Sequence, residues 1–540
     1  MDNAIDSPKQ YSTPQQHRAY FLLVALVIGV LFDQIVWQKS LGLQFFIVIL
    51  LILTGGIVLI FVEKARIAWQ STLLLVPILF TAAVTVLRLD GFTNFTNVVV
   101  SIFSLAVLAI TLLNGQWLVF RLREHLLGFL HLALSVLIEP VRWFVEAFRH
   151  SERTPTEQKT SKLMRLTPFL RGLLIAVPVL IVLSALLASA DPIFARRLAS
   201  IFDWITVDKL VEIIFRAIYI FVLAYGLTGA YLHAFTHSAK TRPIEPDQPV
   251  IAPFLGRTEY LMVLISINLL FFAFLTIQFQ YFFAGEANIS YEGFTYAEYA
   301  RRGFFELLAV ALISLLLFLG LSATARRDTK WGRRLFSGLG ILLILQVGVI
   351  LLSAFQRLNL YEQAYGLTQL RTVTYVFMIW LGILLVGTVA LEVFSRLKRM
   401  ALLLIVVILG FTVTLNLIKV DAFIADRNIR HAASGHPLDV NYLIWNLTSD
   451  AVPVMFEHFN SDILPEDVQA ELGSVLACRA HQQQTAAAAP RVWVSYHHSR
   501  ARAADLYQRH ADLLLNFPLL EQDDGWYLQL EGELVYCLSK

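Results

Sequence analysis

The sequence predicts an all-α polytopic membrane protein of about eleven transmembrane helices, followed by a small, mainly helical external domain at the C-terminus. Three observations predict it. Of the 540 residues, 57% are hydrophobic and only 15% charged, where a soluble chain carries about a quarter charged. The apolar residues come in blocks: Leu41–Val62, Thr372–Phe394 and Met400–Ile418 approach or exceed the roughly 20 residues that cross a bilayer core. These blocks show neither the one-sided stripe of a surface helix nor the alternation of a strand, so they read as helices apolar all round, and a β-barrel is excluded.

Taken in order, the spans fall near 17–37, 41–62, 70–88, 97–114, 168–190, 210–235, 259–284, 303–324, 336–355, 372–394 and 400–418. The first block lacks a small-residue cleavage site after it and reads as a retained helix. With the N-terminus in the cytoplasm, 23 Lys and Arg fall in cytoplasmic segments and nine in the opposite ones. That bias follows the positive-inside rule and sends the C-terminus out. Trp37, Trp69, Trp117 and Trp331 sit at span ends, where amphipathic rings favour the interface.

Segment 126–148 resists this scheme. It is apolar, yet Glu139, Pro140 and Arg142 lie inside it, and basic pairs flank it on both sides. An interfacial or re-entrant amphipathic helix accommodates these features; a twelfth crossing is the alternative. The expected organisation is a four-helix membrane part (1–114), a cytoplasmic connection (115–167), a seven-helix membrane core (168–418) and an external domain (419–540). Within that last part, Leu438–Asp450 and Ser499–Asn516 read as helices. Leu464-Pro465-Glu466-Asp467 reads as a helix start, RAHQQQTAAAAP as a low-complexity connector and Trp526–Leu538 as one or two strands. Cys478 and Cys537 are the only cysteines, both in this external part. They read either as a disulfide, which an outside compartment would preserve, or as two unrelated small hydrophobes.

Catalytic signatures are missing: no Walker A loop, CxxC, HExxH or GxSxG occurs. The seven histidines of the C-terminal part lack partners at ligand spacing, so no metal site is read, and no cofactor is implied. No basic stripe with interleaved aromatics suggests nucleic acid. The richer signal is polar residues beside the membrane. Tyr296, Glu298, Tyr299, Arg301, Arg302 and Glu306 form one stretch; Arg357, Tyr361, Glu362, Tyr365 and Arg371 a second; Asp421, Asp426, Arg427 and Asn428 a third. The topology places all three on the external side. They could line a mixed-charge aromatic vestibule for an anionic or lipid-linked head group, or form a structural network that holds loops and the external domain together. Within the spans, Glu212 and Arg216 are spaced to pair on one helix face, and Asn268, Gln278 and Gln280 suit interhelical hydrogen bonding.

The stretch Tyr296-Ala-Glu-Tyr-Ala-Arg-Arg-Gly-Phe-Phe-Glu-Leu307 resembles the signature of uncharacterised bacterial multi-pass membrane proteins, the domain-of-unknown-function 4173 family and its 4153 relatives. Arg357-Leu-Asn-Leu-Tyr361, Tyr365-Gly-Leu-Thr368 with Arg371, Leu438-Asp-Val-Asn-Tyr442, Asp450-Ala-Val-Pro453, and Trp493-Val-Ser-Tyr496 with Ser499-Arg-Ala-Arg502 look like later blocks of that pattern. The resemblance covers about 180 to 510. It implies an inner-membrane protein without an assigned activity and brings no catalytic residues. Three readings follow: a structural, sensory or assembly protein of the envelope, which leans away from an enzyme; a permease for a polar or lipid-linked solute; and an envelope transferase acting on a lipid-linked substrate. Besides the lipid bilayer, the expected partners are other envelope proteins or a lipid-linked or anionic ligand.

Overall fold

The computed structural model describes residues 18–39, 42–151, 207–239, 253–283, 304–461, 463–487, 492–530 and 533–539, with single positions at 183, 187, 191 and 193. Among the described residues, eleven helices are long and apolar enough to cross a membrane. The molecule is an all-α multi-pass membrane protein with a small C-terminal region that adds strands. The long helices are α1 (Arg18–Val36), α2 (Leu43–Glu63), α3 (Trp69–Thr72) running into α4 (Leu75–Leu87), and α5 (Gly91–Thr111). They continue with α6 (Leu122–Ser151), α7 (Val207–Thr236), α8 (Arg257–Phe283), α9 (Phe304–Thr324), α10 (Lys330–Tyr365), α11 (Gln369–Val393) and α12 (Met400–Ile418).

The membership of the eleven differs from the expected one. Leu122–Trp143 of α6 is among them, and the expected span at 168–190 lies outside the described residues. Helix α6 runs unbroken through Pro140 for 30 residues. Its Arg142 and Glu139 lie 3.8 Å apart, one turn from each other, which neutralises the charges that make the segment look interrupted in sequence.

Two compact units share the chain. One comprises residues 1–37, 54–64 and 132–236, the other residues 38–53, 65–131 and 237–540. In the first, α1 packs along α7, with Phe21 edge-on to Phe235 at 5.4 Å and Trp37 stacked on Tyr219 at 5.6 Å. In the second, α8, α9, α10 and α11 enclose a core of Leu264, Ala311, Phe318, Phe336, Leu343 and Leu381. Backbone bonds from Leu255 N to Thr324 O (3.2 Å) and from Arg326 N to Leu255 O (3.0 Å) pin the start of α8 to the end of α9.

Helix starts are set by short polar side chains. Asp90 accepts from Thr93 N at α5, Thr329 from Gly332 N at α10, and Thr368 from Arg371 N at α11, each satisfying a backbone donor that the first turn leaves orphaned. After α12 the chain turns sharply at Lys419, a non-glycine residue at φ 56°, and enters α13 (Val420–Ala433).

The C-terminal region continues with α14 (Val440–Trp445), α15 (Val452–Phe459), α16 (Glu466–Ala487), α17 (His498–Arg509), α18 (Ala511–Leu514), β1 (Leu520–Glu521), β2 (Gly525–Leu530) and β3 (Glu533–Ser539). The strands form one antiparallel sheet in the order β1-β2-β3. Two expectations change. The helix expected over Leu438–Asp450 stops at Trp445, and the supposed connector RAHQQQTAAAAP is mostly the end of α16. One residue explains both. Arg479 of α16, 7% exposed, donates to the carbonyls of Leu443 (2.6 Å) and Leu447 (2.8 Å). It caps α14 from outside and needs a helix beneath it to reach there. Cys478, the neighbouring residue, forms the disulfide with Cys537 on β3 and ties the sheet to α16. The core of this region, with Ile424, Leu443, Met455 and Leu472, is continuous with Val373 and Val376 of α11 and Leu415 of α12.

Candidate functional site at the C-terminal junction

A dense polar network among the described residues of the second unit lies where the C-terminal region meets the α4–α5 turn, the α10–α11 turn and the end of α12. Asp421, in the first turn of α13, is fully buried. Its Oδ1 accepts from Gln369 Nε2 at 2.7 Å, and its Oδ2 from Thr448 N and Oγ1 at 2.8 and 2.6 Å. All of these donors are neutral. Burial pushes the Asp421 carboxyl up to about 6, the charge of Asp90 adds to the rise, and the Thr448 and Gln369 bonds oppose it.

Asp450 makes the next link. Its Oδ2 accepts from Leu89 N at 2.7 Å and Asp90 N at 3.3 Å, so a carboxylate of the C-terminal region holds the turn between two membrane helices. The carbonyl of Arg88 in that turn accepts from Asn94 Nδ2 and from His497 Nε2, both at 2.7 Å. That bond puts the imidazole proton on Nε2, and burial holds His497 below its ordinary value. Asn97 of α5 and Asn416 of α12 exchange side-chain hydrogen bonds at 3.1 and 2.8 Å.

The α10–α11 turn is fastened by Asn428. Its Oδ1 accepts from Leu367 N at 2.7 Å and its Nδ2 donates to Leu367 O at 2.9 Å, so one amide side chain pairs with the backbone as a strand would. Gly366 stands at φ 68°, ψ −173°, a region essentially reserved for glycine. A Cβ there would stand 2.8 Å from Asn428 Oδ1. Tyr442 Oη accepts from Gln369 N at 2.7 Å.

The structure thus brings together two of the three polar stretches read from sequence. Arg371 lies over the Tyr361 ring at 4.1 Å and donates to the carbonyls of Tyr365 and Gly366. The Glu362 carbonyl accepts from Gly366 N at 2.7 Å. Arg357 reaches Gln278 Oε1 of α8 at 3.3 Å. Arg427 is exposed, its guanidinium 5.5 Å from the Phe423 ring. Of the first stretch, Glu306 is exposed in the opening turn of α9, while Tyr296, Glu298, Tyr299, Arg301 and Arg302 lie outside the described residues. Among the described residues no group of three His, Cys, Asp or Glu is placed to hold a metal ion.

Three residues of the network carry no sequence motif: Asp90, Asn97 and Asn416. Their only signal is polarity beside an apolar block. The family-like blocks, by contrast, converge here, since Tyr442, Asp450 and the 493–499 segment all join the junction.

A second polar network lies in the first unit. Asp33 of α1 is 5% exposed and receives Arg216 Nε at 2.9 Å on Oδ1, Arg216 Nη2 on Oδ2, and a bond from the Tyr219 hydroxyl. Arg216 Nη1 also reaches Glu212 at 3.3 Å, and Trp37 Nε1 donates to Glu212 at 2.9 Å. The expected Glu212–Arg216 pair exists as one arm of a larger clamp. Its central partner, Asp33, went unread because it is a lone acid 183 residues away in sequence.

The family model described as "Domain of unknown function (DUF4153)" matches residues 75–458. The chain belongs to this family. The matched segment runs from α4 to α15 and includes most of the junction; the family brings no activity and no assigned residues to it. No curated protein and no solved structure matches the chain.

Proposed function

We propose that the protein is a non-enzymatic structural, sensory or assembly protein of the bacterial inner membrane, with the C-terminal region held outside as a platform for other envelope components. One observation carries this reading. Among the described residues, Asp421 and Arg371 of the stretches that could have lined a vestibule are engaged, with Asp450, Asn428 and Tyr442 beside them, in fastening helix ends and the C-terminal region, each with a bond to a backbone group. Ligand recognition wants polar groups left free to converge on a cavity. Here they behave as fasteners.

Two features support the orientation. The basic residues Arg326, Arg327, Arg333 and Arg334 and the group Arg396, Lys398 and Arg399 occupy turns at the end of α9–α12 opposite the C-terminal region, as the positive-inside rule expects of cytoplasmic turns. The Cys478–Cys537 disulfide fits an oxidising compartment. Because these two cysteines are paired, a single cysteine introduced at 365 or 440 is the only free thiol. An impermeant maleimide should label it from outside intact cells, and labelling only after lysis would reverse the orientation.

The role itself is tested by rescue. In cells lacking the protein, whatever envelope defect appears should be corrected by Glu306→Gln and not by Asp421→Arg, which drives a cation into the buried junction, with both variants present at wild-type levels in the membrane. Failure of Glu306→Gln would instead point to transport or transfer through the α9 entrance, the two alternative readings.

A further inference from the structure

The seam between α8 and α10 holds a feature that fastening does not account for. Asn268 and Gln346 are 5% and 6% exposed. Asn268 stands eleven residues into α8, or about 17 Å along it, near the middle of a bilayer core of roughly 30 Å. Asn268 Nδ2 donates to the carbonyls of Leu264 (2.7 Å) and Leu339 (3.2 Å), and Gln346 Nε2 donates to the Asn268 carbonyl at 3.1 Å. The two carboxamide oxygens, Asn268 Oδ1 and Gln346 Oε1, are buried and accept nothing.

Reversing the amides does not relieve this. Turning Asn268 over would set its oxygen against two carbonyl oxygens, and turning Gln346 over would set its oxygen against one, so both orientations are fixed by acceptors that need a donor. A buried acceptor without a partner forfeits the hydrogen bond it would make in water, and membrane surroundings offer no bulk water to relieve it. The surrounding stretches of α8, α9, α10 and α11 carry no acid at this depth: Glu259, Glu306, Glu362 and Glu392 all stand in end turns. A bare cation would therefore lack a countercharge, whereas a neutral donor suits uncharged amide oxygens.

We infer that Asn268 and Gln346 form a mid-membrane seat for a neutral hydrogen-bond donor, filled by a bound water in the solute-free protein. The inference stands independently of the platform reading, since it rests on α8 and α10 alone.

Radiolytic hydroxyl labelling of the full-length protein, read residue by residue by mass spectrometry, tests it. Radicals form from water on the spot, so a bound water marks its neighbours even where bulk solvent is absent. Leu264 and Leu343, both fully buried and one helical turn from Asn268 and Gln346, should be oxidised. Phe318 and Phe336, equally buried in the same core and intrinsically more reactive, should not. Gln346→Leu should abolish the label at Leu264 and Leu343; if that variant does not fold, Asn268→Leu replaces it. Unlabelled Leu264 and Leu343 in the wild type would show the seat dry. Label on the two phenylalanines as well, or label that persists in the folded variant, would show general opening of the bundle. Either result overturns the inference.

Discussion

The two polar networks solve the same problem by opposite means. Both bury a carboxylate beside membrane helices. Around Asp33 the compensation is a cation: Arg216 grips both oxygens and the Tyr219 hydroxyl donates to one, while Glu212 accepts from Arg216 and from Trp37. Around Asp421 it is a set of neutral N–H, O–H and amide donors. In the first clamp a guanidinium sets a compensating charge directly against the carboxylate. Neutral donors stabilise a carboxylate less than burial penalises it, so the second should titrate. The difference separates a charge-paired joint from one held by neutral donors.

The sharpest break is covalent. The Cys478–Cys537 bond closes a loop across 59 residues, and replacing both cysteines by alanine should lower the stability of the C-terminal region by about 2–4 kcal/mol. Hydrogen exchange should rise across α13–α16 and stay unchanged across α1 and α7. Equal loosening of both would show that the networks are not separable.

Arg216→Met should come next. It strands Asp33 without a cation, at a cost of about 3 kcal/mol, the low end for a broken buried pair because Arg216 is about one-third exposed. Thermal unfolding in detergent measures it, with exchange now rising in α1 and α7 rather than α13. A change below the experimental error would show that the guanidinium contributes little.

The pH response should sharpen the contrast. Asp421 has a raised folded value of about 6 against 3.8 unfolded, so the folded state binds its proton more tightly. Its contribution is fully present below about 4 and is lost as pH rises through 6. His497 is lowered from 6.5, so its contribution is present above 6.5 and is lost as pH falls. The two oppose each other between pH 4 and 6.5. Asp421→Asn should therefore leave stability rising with pH across that window, and His497→Gln should leave it falling, the latter by on the order of 3 kcal/mol. Superimposable pH profiles for wild type and both variants would refute the assignment. Asp426, held low against burial by His458 and Arg430, acts only below about 3.8 and stays out of this window.

The smallest expected effect is steric. Gly366→Ala should destabilise by about 1–2 kcal/mol, because alanine is strained at that φ and its methyl group would crowd Asn428. An unchanged melting temperature would mean that the α10–α11 turn relaxes away from the junction.

How much of this was legible beforehand follows from range. Asp90 at α5 and Thr368 at α11 act on backbone three residues away, so a short polar residue before an apolar block suffices to read them. The Glu212–Arg216 spacing is equally local. Asp33–Arg216, Asn97–Asn416 and Asp450–Leu89 join residues 183 to 361 positions apart; nothing in either local stretch names the partner. Arg479 misled for a related reason, since a polar, alanine-rich stretch looks unstructured until the carbonyls it caps are in view.

The sequence by itself determined the membrane character, the long apolar helices, the placement of polar groups at helix ends and the membership of both cysteines in one region. These follow from composition and periodicity, which bilayer thickness and backbone hydrogen bonding translate directly into helices. Only the tertiary structure decided that the polar groups fasten helix ends to the C-terminal region, that the cysteines pair, and that two mid-membrane amide oxygens are left without donors. Those outcomes depend on which side chains meet, and packing between distant segments fixes that.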